Sequence, residues 1–205
     1  MNVFFDLDGT LLNSKKRLYL LFKELVPKSN LTFEKYWKLK RNKINHKSIL
    51  IDNYNYSEDD YINFEKNFFE KIELIDYLKH DTLVNGVYET LETLSMKDKL
   101  YIITMRQNKD NLYSQLKQFS ITKYFTDILI SEKKYNKTEL IRMVQFQNSD
   151  FIIGDTDYDI LTGTNLGIQT IAVCYGFLNK KKIIEYKPNY IVSKLPKVVS
   201  ILYPE

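Results

Sequence analysis

Two aspartates stand one residue apart near the start of the chain, directly after a short apolar segment. Residues 3–5 (Val-Phe-Phe) are β-formers, and they predict a buried strand that ends at Asp6. Asp8 follows two positions later, and Gly9 then lets the backbone turn. Because residues two positions apart share a face in extended backbone, the spacing predicts neighbouring carboxylates. Carboxylates held that close repel each other unless a cation or a shared proton relieves the repulsion.

Other polar residues follow apolar segments later in the chain, at points where strands are predicted to end. Thr104 directly follows one such segment, and Asp155 comes just after another, with Asp159 four residues further on. The carboxyl ends of parallel strands lie along one edge of a sheet. We therefore expect these side chains to lie beside the N-terminal aspartates, although they are far away in sequence.

The residue types at this edge indicate chemistry on a phosphate group. Carboxylates are hard oxygen ligands suited to Mg²⁺, which usually binds through a few of them and keeps some water. Thr104 and a lysine are hydrogen-bond donors suited to phosphoryl oxygens, and Lys133, Lys134 and Lys137 all precede a predicted helix. A cation, phosphate donors and a free carboxylate are the components of phosphoryl transfer through a covalent aspartyl intermediate.

The order of the predicted elements indicates an α/β fold. From Leu83 onward, short apolar segments alternate with helical stretches, which is typical of a parallel sheet with helices on both faces. The predicted strands are residues 100–103, 127–130, 151–153, 170–175 and 190–192, and the predicted helices are residues 87–94, 111–119, 138–146 and 157–166. The N-terminal strand belongs to the same sheet, so we predict a Rossmann-like three-layer core.

A helical segment interrupts this alternation after the first strand. Residues 14–80 are rich in lysine, glutamate, asparagine and aromatic residues, and their apolar side chains recur at helical spacing. Ser57 followed by three acidic residues is a typical helix start. We predict an inserted all-helical domain of about four helices at residues 14–80, and a catalytic core made of residues 1–13 and 81–205.

Taken together, these residues resemble the four motifs of the haloacid dehalogenase-like hydrolases. The resemblance rests on residues 6–11 (Asp-Leu-Asp-Gly-Thr-Leu), on Thr104 after its apolar strand, on a lysine before a helix, and on residues 154–159 (Gly-Asp-Thr-Asp-Tyr-Asp). Gly163, residues 167–168 (Gly-Ile) and residues 173–177 (Val-Cys-Tyr-Gly-Phe) further resemble the phosphoglycolate-phosphatase-like branch of that family. In this branch a helical cap occupies the place of the inserted domain. The motifs occur in the family's order and cover nearly all of the core.

The resemblance implies a Mg²⁺-dependent phosphatase that hydrolyses a small phosphomonoester through an aspartyl-phosphate intermediate. Asp6 would be the nucleophile that attacks phosphorus. Asp8 would protonate the leaving oxygen and then deprotonate the water that hydrolyses the intermediate. The Mg²⁺ ion would be held by the Asp6 carboxylate, the Asp8 backbone carbonyl, Asp155 and, directly or through water, Asp159.

Thr104 and Lys137 would hold the transferring phosphoryl group, on the same resemblance. Lys137 is preferred because the helix that it begins matches the branch's pattern, and Lys134 is the alternative. Met105 and Arg106 depart from the family, in which a small polar residue usually follows the threonine. The role of Arg106 is left open between a contact to a substrate anion and a solvated position at a helix start.

Two other functions are compatible with the same residues. One is a sugar phosphomutase resembling β-phosphoglucomutase, but such proteins tend to carry a histidine shortly after the first motif, and residues 13–20 contain none. Release of free phosphate without a bisphosphate activator would distinguish a phosphatase from a mutase. The other is a catalytically silent binding protein of the same fold, against which the intact acids, threonine and lysine argue.

Composition indicates an ordinary soluble protein and a small-molecule partner. The 205 residues are 44% hydrophobic and 27% charged, with a net charge of only +4 and the two signs interspersed, which argues against nucleic acid. No apolar run approaches the length needed to span a membrane. The N-terminal aspartates do not fit a signal peptide, so we expect a cytoplasmic protein whose partner is a small phosphorylated metabolite. The sequence does not predict an oligomeric state.

Overall fold

A six-stranded parallel sheet forms the centre of the fold in the computed structural model, which describes residues 1–204. The strands are β1 (Asn2–Asp6), β2 (Leu12–Asn13), β3 (Thr82–Leu83), β4 (Lys99–Thr104), β5 (Asp127–Ile130), β6 (Phe151–Gly154), β7 (Gln169–Val173) and β8 (Tyr190–Val192). In the large sheet the order is β5-β4-β1-β6-β7-β8, and every neighbouring pair is parallel. The predicted α/β fold is confirmed.

Eleven α-helices complete the secondary structure of the described residues. They are α1 (Lys15–Leu25), α2 (Phe33–Arg41), α3 (His46–Tyr54), α4 (Glu58–Lys71), α5 (Ile75–Leu78), α6 (Val87–Ser95), α7 (Lys109–Gln118), α8 (Lys137–Arg142), α9 (Asp157–Leu166), α10 (Lys180–Glu185) and α11 (Lys197–Leu202). A short 3₁₀ helix also spans Thr122–Tyr124. Among the described residues, none of these helices is long and apolar enough to cross a bilayer.

Strand β1 is buried on both faces, as a central strand of a parallel sheet must be. Val3 and Phe5 point to one face and pack in a cluster with Leu91 of α6, whereas Phe4 points to the other face and packs with Leu140 of α8. All three β1 side chains are fully buried. The alternation places helices on both sides of the sheet, which gives the predicted three layers.

The predicted elements agree with the structure except at some ends. Helix α8 stops at Arg142, four residues before the predicted end at Phe146, although Val144 and Phe146 still pack against the core. The apolar spacing of Val144 and Phe146 therefore indicates packing against the core and not helical structure. Strands β2 and β3 were not predicted, because two residues are too few for an alternating pattern.

The chain divides into two compact units. One consists of residues 1–13 together with the chain from Thr82 onward, and the other is residues 14–81, which we call the helical insertion. The insertion contains α1 to α5. Its interior is largely aromatic. The ring centroids of Tyr36 and Trp37 are 5.4 Å apart. The Tyr36 hydroxyl forms a hydrogen bond of 2.7 Å with Nε2 of His46.

A buried ion pair joins the two ends of the insertion. Arg17 Nε lies 3.2 Å from Asp81 Oδ1, and the two side chains are 3% and 0% exposed. Arg17 also donates to the carbonyl oxygen of Ile72 at 3.1 Å. Asp81 was predicted to begin the second part of the core, but it groups with the insertion, to which Arg17 of α1 ties it.

We expect Arg17→Gln to destabilise the insertion by roughly 3–5 kcal/mol, because it leaves Asp81 as a buried charge without its guanidinium partner. Lys71→Gln is the matched control, since Lys71 pairs with Glu24 at 2.7 Å on the surface and such pairs contribute about 1 kcal/mol or less. Trp37 is the only tryptophan of the sequence and lies in the insertion, so urea unfolding followed by its fluorescence measures both variants. Equal small losses in the two variants would contradict the expectation.

Candidate active site

The sheet brings the predicted site residues to one edge, where the parallel strands end. Asp6 is the last residue of β1, Thr104 is the last residue of β4, and Asp155 directly follows β6. Strand β1 lies between β4 and β6, and Ile103 stands opposite Asp6 in the register. Lys137 begins α8, which follows β5. The convergence expected from strand order is therefore present in the structure.

Three carboxylates and one ammonium group form a buried cluster at this edge. Asp6, Asp155 and Asp159 each place a carboxylate oxygen within 4.8 Å of the others, and the residues are 7%, 0% and 1% exposed. Lys137 donates from Nζ to Asp6 Oδ1 and to Asp159 Oδ1, both at 2.5 Å, and is itself 3% exposed. We call these four residues the acidic cluster.

Burial and the neighbouring charges shift the pKa values of Asp6, Asp155 and Lys137. Burial raises the pKa of the Asp6 carboxyl to about 7; the nearby Lys137 ammonium opposes this shift, and the Asp159 carboxylate adds to it. Burial together with repulsion from Asp6 and Asp159 holds the pKa of Asp155 well above its usual range. Burial works against the charged form of Lys137, but attraction by Asp159 and Asp6 outweighs it and raises the pKa of the ammonium.

Neighbouring donors fix the orientation of Asp6 and Asp155. The Thr10 hydroxyl donates to Asp6 Oδ2 at 3.0 Å, so that the two oxygens of Asp6 contact Thr10 and Lys137 respectively. The backbone N–H of Phe177 donates to Asp155 Oδ2 at 2.5 Å. Hydrogen bonds to the charged form favour ionisation and hold the carboxylates in one rotamer. Thr10 belongs to the first motif, whereas Phe177 lies in the segment that follows β7.

Asp159 has two structural roles in addition to its place in the cluster. Its Oδ2 accepts from the backbone N–H of Thr156 at 3.1 Å and from the Thr156 hydroxyl at 2.7 Å. These bonds fasten the first turn of α9 and satisfy a backbone donor at the helix start. Its Oδ1 accepts from Lys137, so Asp159 connects α8 to α9 through the lysine.

Close backbone approach around Asp155 requires two glycines. Gly9 has φ +94°, a conformation that residues with a side chain rarely adopt, and a Cβ on it would lie 2.2 Å from Asp155 Oδ2. A Cβ on Gly176 would lie 2.2 Å from the same oxygen. The carboxylate is therefore enclosed between two backbone segments that come from opposite parts of the chain.

Asp8 makes a different contact from the other three acids. Arg106 Nε donates to Asp8 Oδ2 at 2.5 Å and Arg106 Nη2 donates to Asp8 Oδ1 at 2.9 Å. The Arg106 side chain is 4% exposed and that of Asp8 is 21% exposed. The interpretation of Arg106 as a solvated residue at a helix start is therefore wrong. Sequence spacing gave no signal for this pair, because 98 positions separate its members.

The other two predicted phosphate-binding candidates differ in environment. Thr104 is 2% exposed, and its hydroxyl accepts the backbone N–H of Arg106 at 3.3 Å. Lys134 lies on the surface, where its ammonium is 3.9 Å from a carboxylate oxygen of Glu132. Of the two lysines considered, Lys137 is thus the one that the structure brings to the nucleophile candidate.

The donor chemistry of the acidic cluster fits a small divalent cation. Asp6, Asp155 and Asp159 offer carboxylate oxygens, which are the hard ligands that Mg²⁺ prefers. Lys137 brings one positive charge against three carboxyl groups, so a second cation would relieve the remaining repulsion. Burial, together with repulsion between these carboxyl groups, raises the pKa values of Asp6 and Asp155.

Known proteins resemble this chain in family, in sequence and in structure. A family model described as haloacid dehalogenase-like hydrolase matches residues 3–173. Pyrophosphatase PpaX of Halalkalibacterium halodurans is 27% identical over 98% of this chain and 95% of its own length. Pyrophosphatase PpaX of Oceanobacillus iheyensis is 22% identical with the same coverage of both chains.

Solved structures have the same fold over nearly the whole chain. A hydrolase of the haloacid dehalogenase-like family from Streptococcus pneumoniae superposes with a TM-score of 0.81 at 24% identity, covering 98% of this chain and 97% of its own. A predicted phosphoglycolate phosphatase from Haemophilus somnus gives a TM-score of 0.73 at 19% identity, with 98% and 96% coverage. At such identities the likeness concerns the fold.

The raised pKa of Asp6 predicts a pH-dependent contribution to stability in metal-free protein. Between about pH 4 and pH 7 the folded state holds the Asp6 proton that the unfolded state releases, so this contribution falls as pH rises through that window. We expect the unfolding free energy of wild type minus that of Asp6→Asn to fall by up to about 1.4 kcal/mol per pH unit there.

Urea unfolding in EDTA at several pH values, followed by circular dichroism, measures this difference. Asp110→Asn, which replaces an exposed carboxylate on α7, is the matched control for the loss of one carboxylate. A constant difference for Asp6→Asn would mean that Asp6 titrates alike in the folded and unfolded chains.

Proposed function

Because the chain belongs to the haloacid dehalogenase-like hydrolases, we propose that it is a Mg²⁺-dependent phosphatase acting on a small phosphomonoester through an aspartyl-phosphate intermediate. The observation that carries the proposal is the contact of Lys137 with Asp6 at the end of the central strand. It places a cation against the carboxylate that would attack phosphorus. Nucleophile and phosphate binder thus stand in direct contact before any substrate arrives.

Asp6 is the nucleophile in this proposal. One of its carboxylate oxygens forms a bond to phosphorus, and the bond between phosphorus and the leaving oxygen breaks. Thr10 holds the carboxylate in place through Oδ2. Lys137 and Thr104 donate hydrogen bonds to the phosphoryl oxygens, on which negative charge is spread during transfer. Both donors are buried, so their interactions are little weakened by solvent.

Asp8 is the general acid and base. It gives a proton to the leaving oxygen in the first step and removes a proton from the attacking water in the second, which releases phosphate and restores Asp6. Its side chain is more exposed than those of the acidic cluster, as a group that meets both substrate and water must be.

Asp6, Asp155 and Asp159, with the backbone carbonyl of Asp8, are the proposed ligands of Mg²⁺. When bound, the ion supplies positive charge that offsets the charge of the phosphoryl oxygens. The protein's own contribution is to keep these oxygens close together against their repulsion. Gly9 makes this possible by letting the first-motif backbone approach Asp155.

The relatives favour a second candidate substrate, inorganic pyrophosphate. The two curated relatives described above are named pyrophosphatases, and each aligns with this chain over 95% of its own length. Pyrophosphate would undergo the same attack by Asp6, with phosphate as the leaving group instead of an alcohol. The choice between a phosphomonoester and pyrophosphate concerns the leaving group and not the nucleophile.

We expect Asp6→Asn to lower turnover by roughly a thousandfold or more, because the amide cannot form the aspartyl-phosphate. Asp8→Asn should lower turnover by about 10²–10⁴-fold, because it removes proton transfer in both steps. Asp110→Asn is the matched control and should retain wild-type turnover. Release of free phosphate measures the turnover of all three variants. Because Asp8→Asn cannot activate the water that hydrolyses the intermediate, acid quenching of this variant with labelled substrate should recover phosphoprotein. Appreciable turnover by Asp6→Asn would mean that another group attacks phosphorus.

A substrate panel tests the proposed reaction directly. Phosphoglycolate, glycerol phosphate, a hexose phosphate and inorganic pyrophosphate are incubated with the protein and Mg²⁺, and released phosphate is scored. We expect release from at least one of them, complete loss of release in excess EDTA, and recovery when Mg²⁺ is restored. Activity that persists after thorough removal of metal would exclude the cation from the mechanism, and conversion only with a bisphosphate activator would indicate a mutase.

A further inference from the structure

The Arg106 guanidinium contacts Asp8 in a geometry that restricts the carboxylate. Nε and Nη2 lie on one edge of the planar guanidinium, and they donate to the two different oxygens of Asp8 at 2.5 and 2.9 Å. Two parallel hydrogen bonds between planar groups fix both the position and the plane of the carboxylate. A lysine could supply the charge but not this pair of bonds.

Further contacts hold Arg106 itself in place. Its Nη2 also donates to Gln115 Oε1 of α7 at 3.2 Å, and Gln115 is 4% exposed. Its backbone N–H donates to the Thr104 hydroxyl, and its carbonyl accepts from the backbone N–H of Glu132 at 3.1 Å. Both its side chain and its backbone are thus anchored to the end of β4, to α7 and to the segment after β5.

The remaining surface of Asp8 is suited to proton transfer. An ionised carboxylate can accept about four hydrogen bonds, and the fork uses one site on each oxygen. The Asp8 side chain is 21% exposed, whereas the guanidinium beside it is almost fully buried. Of the two paired groups, the carboxylate is therefore the one that solvent can reach.

We propose that Arg106 is the positioning residue of Asp8: its anchored fork holds the Asp8 carboxylate in the orientation from which it transfers protons to the leaving group and from water. The inference rests on the proposed function, because it assigns Arg106 a role through the acid and base of that reaction. It also gives the arginine that follows Thr104, where the sequence departs from the family pattern, a role: Arg106 is a buried partner of Asp8 and not a solvated residue.

A double-mutant cycle tests whether Arg106 acts through Asp8. Arg106→Met removes every side-chain donor of the guanidinium while keeping a long side chain. The substitution is made in wild type and in Asp8→Asn. We expect kcat/KM on the best panel substrate to fall about a hundredfold in the wild-type background, as for a misplaced catalytic group. In the Asp8→Asn background the same change should cost less than about threefold, because coupled residues are not additive. Equal losses in the two backgrounds would overturn the proposal.

The leaving-group dependence gives a readout that a merely structural role would not move. Phenyl phosphate depends on protonation of its leaving oxygen more than p-nitrophenyl phosphate does, because nitrophenolate leaves as a stable anion. We expect the kcat/KM ratio of phenyl to p-nitrophenyl phosphate to fall about tenfold or more in Arg106→Met, and by a smaller factor in Arg106→Lys, which retains charge without the fork. An unchanged ratio in either variant would overturn the fork as the positioning device.

Controls separate this inference from the proposed function. Lys109→Gln, which removes an exposed cation on α7, should leave both the rate and the ratio unchanged. If Arg106→Met does not fold, as judged by circular dichroism, Arg106→Lys is carried through the same cycle and ratio. Failure of wild type to release phosphate from any substrate would overturn the proposed function itself. If wild type is a phosphatase but Arg106→Met lowers kcat/KM equally in both backgrounds and leaves the phenyl to p-nitrophenyl ratio unchanged, only the role of Arg106 is overturned.

Discussion

Electrostatic repulsion among three buried carboxyl groups is the constraint on which the site depends. Asp6, Asp155 and Asp159 converge within a few ångströms, and Lys137 contacts two of them. Folding brings these groups together because each is attached to an element that the apolar sheet requires, so burial of the sheet offsets the cost of crowding the acids. A bound cation would relieve the same repulsion. The crowding of carboxyl groups that costs folding free energy is therefore also what makes these oxygens suitable cation ligands.

The position of the site could be predicted from the sequence because it follows from strand order. In a parallel sheet every strand ends on the same edge, so finding the apolar segments before Asp6, Thr104 and Asp155 was enough to bring them together. Lys137 needed one more step, recognition of the helix that it begins. The ends of helices were less predictable, since apolar spacing near Phe146 reports packing against the core and not continued helix.

The contact between Asp8 and Arg106 could not be predicted in the same way. A guanidinium that follows a strand is equally compatible with solvent and with a buried partner, and only tertiary packing decides between them. The structure decides it through Gln115, a buried polar residue of α7 that stands behind the guanidinium. Likewise, the ion pair of Arg17 with Asp81 joins positions whose proximity depends on how five helices pack. Such pairs form only through tertiary packing, so they leave no periodic pattern in the sequence.

The small ladder of β2 and β3 lies at the two chain junctions between the core and the helical insertion. Leu12 stands opposite Leu83 and Asn13 opposite Thr82, so the polypeptide leaves and rejoins the core at adjacent points. A segment whose two ends are paired within the core can lengthen or shorten without changing the register of the six-stranded sheet. Asp6, a few residues upstream, belongs to that sheet and not to the inserted segment. Insertions and deletions between the two junctions are therefore the changes in chain length that the core tolerates best.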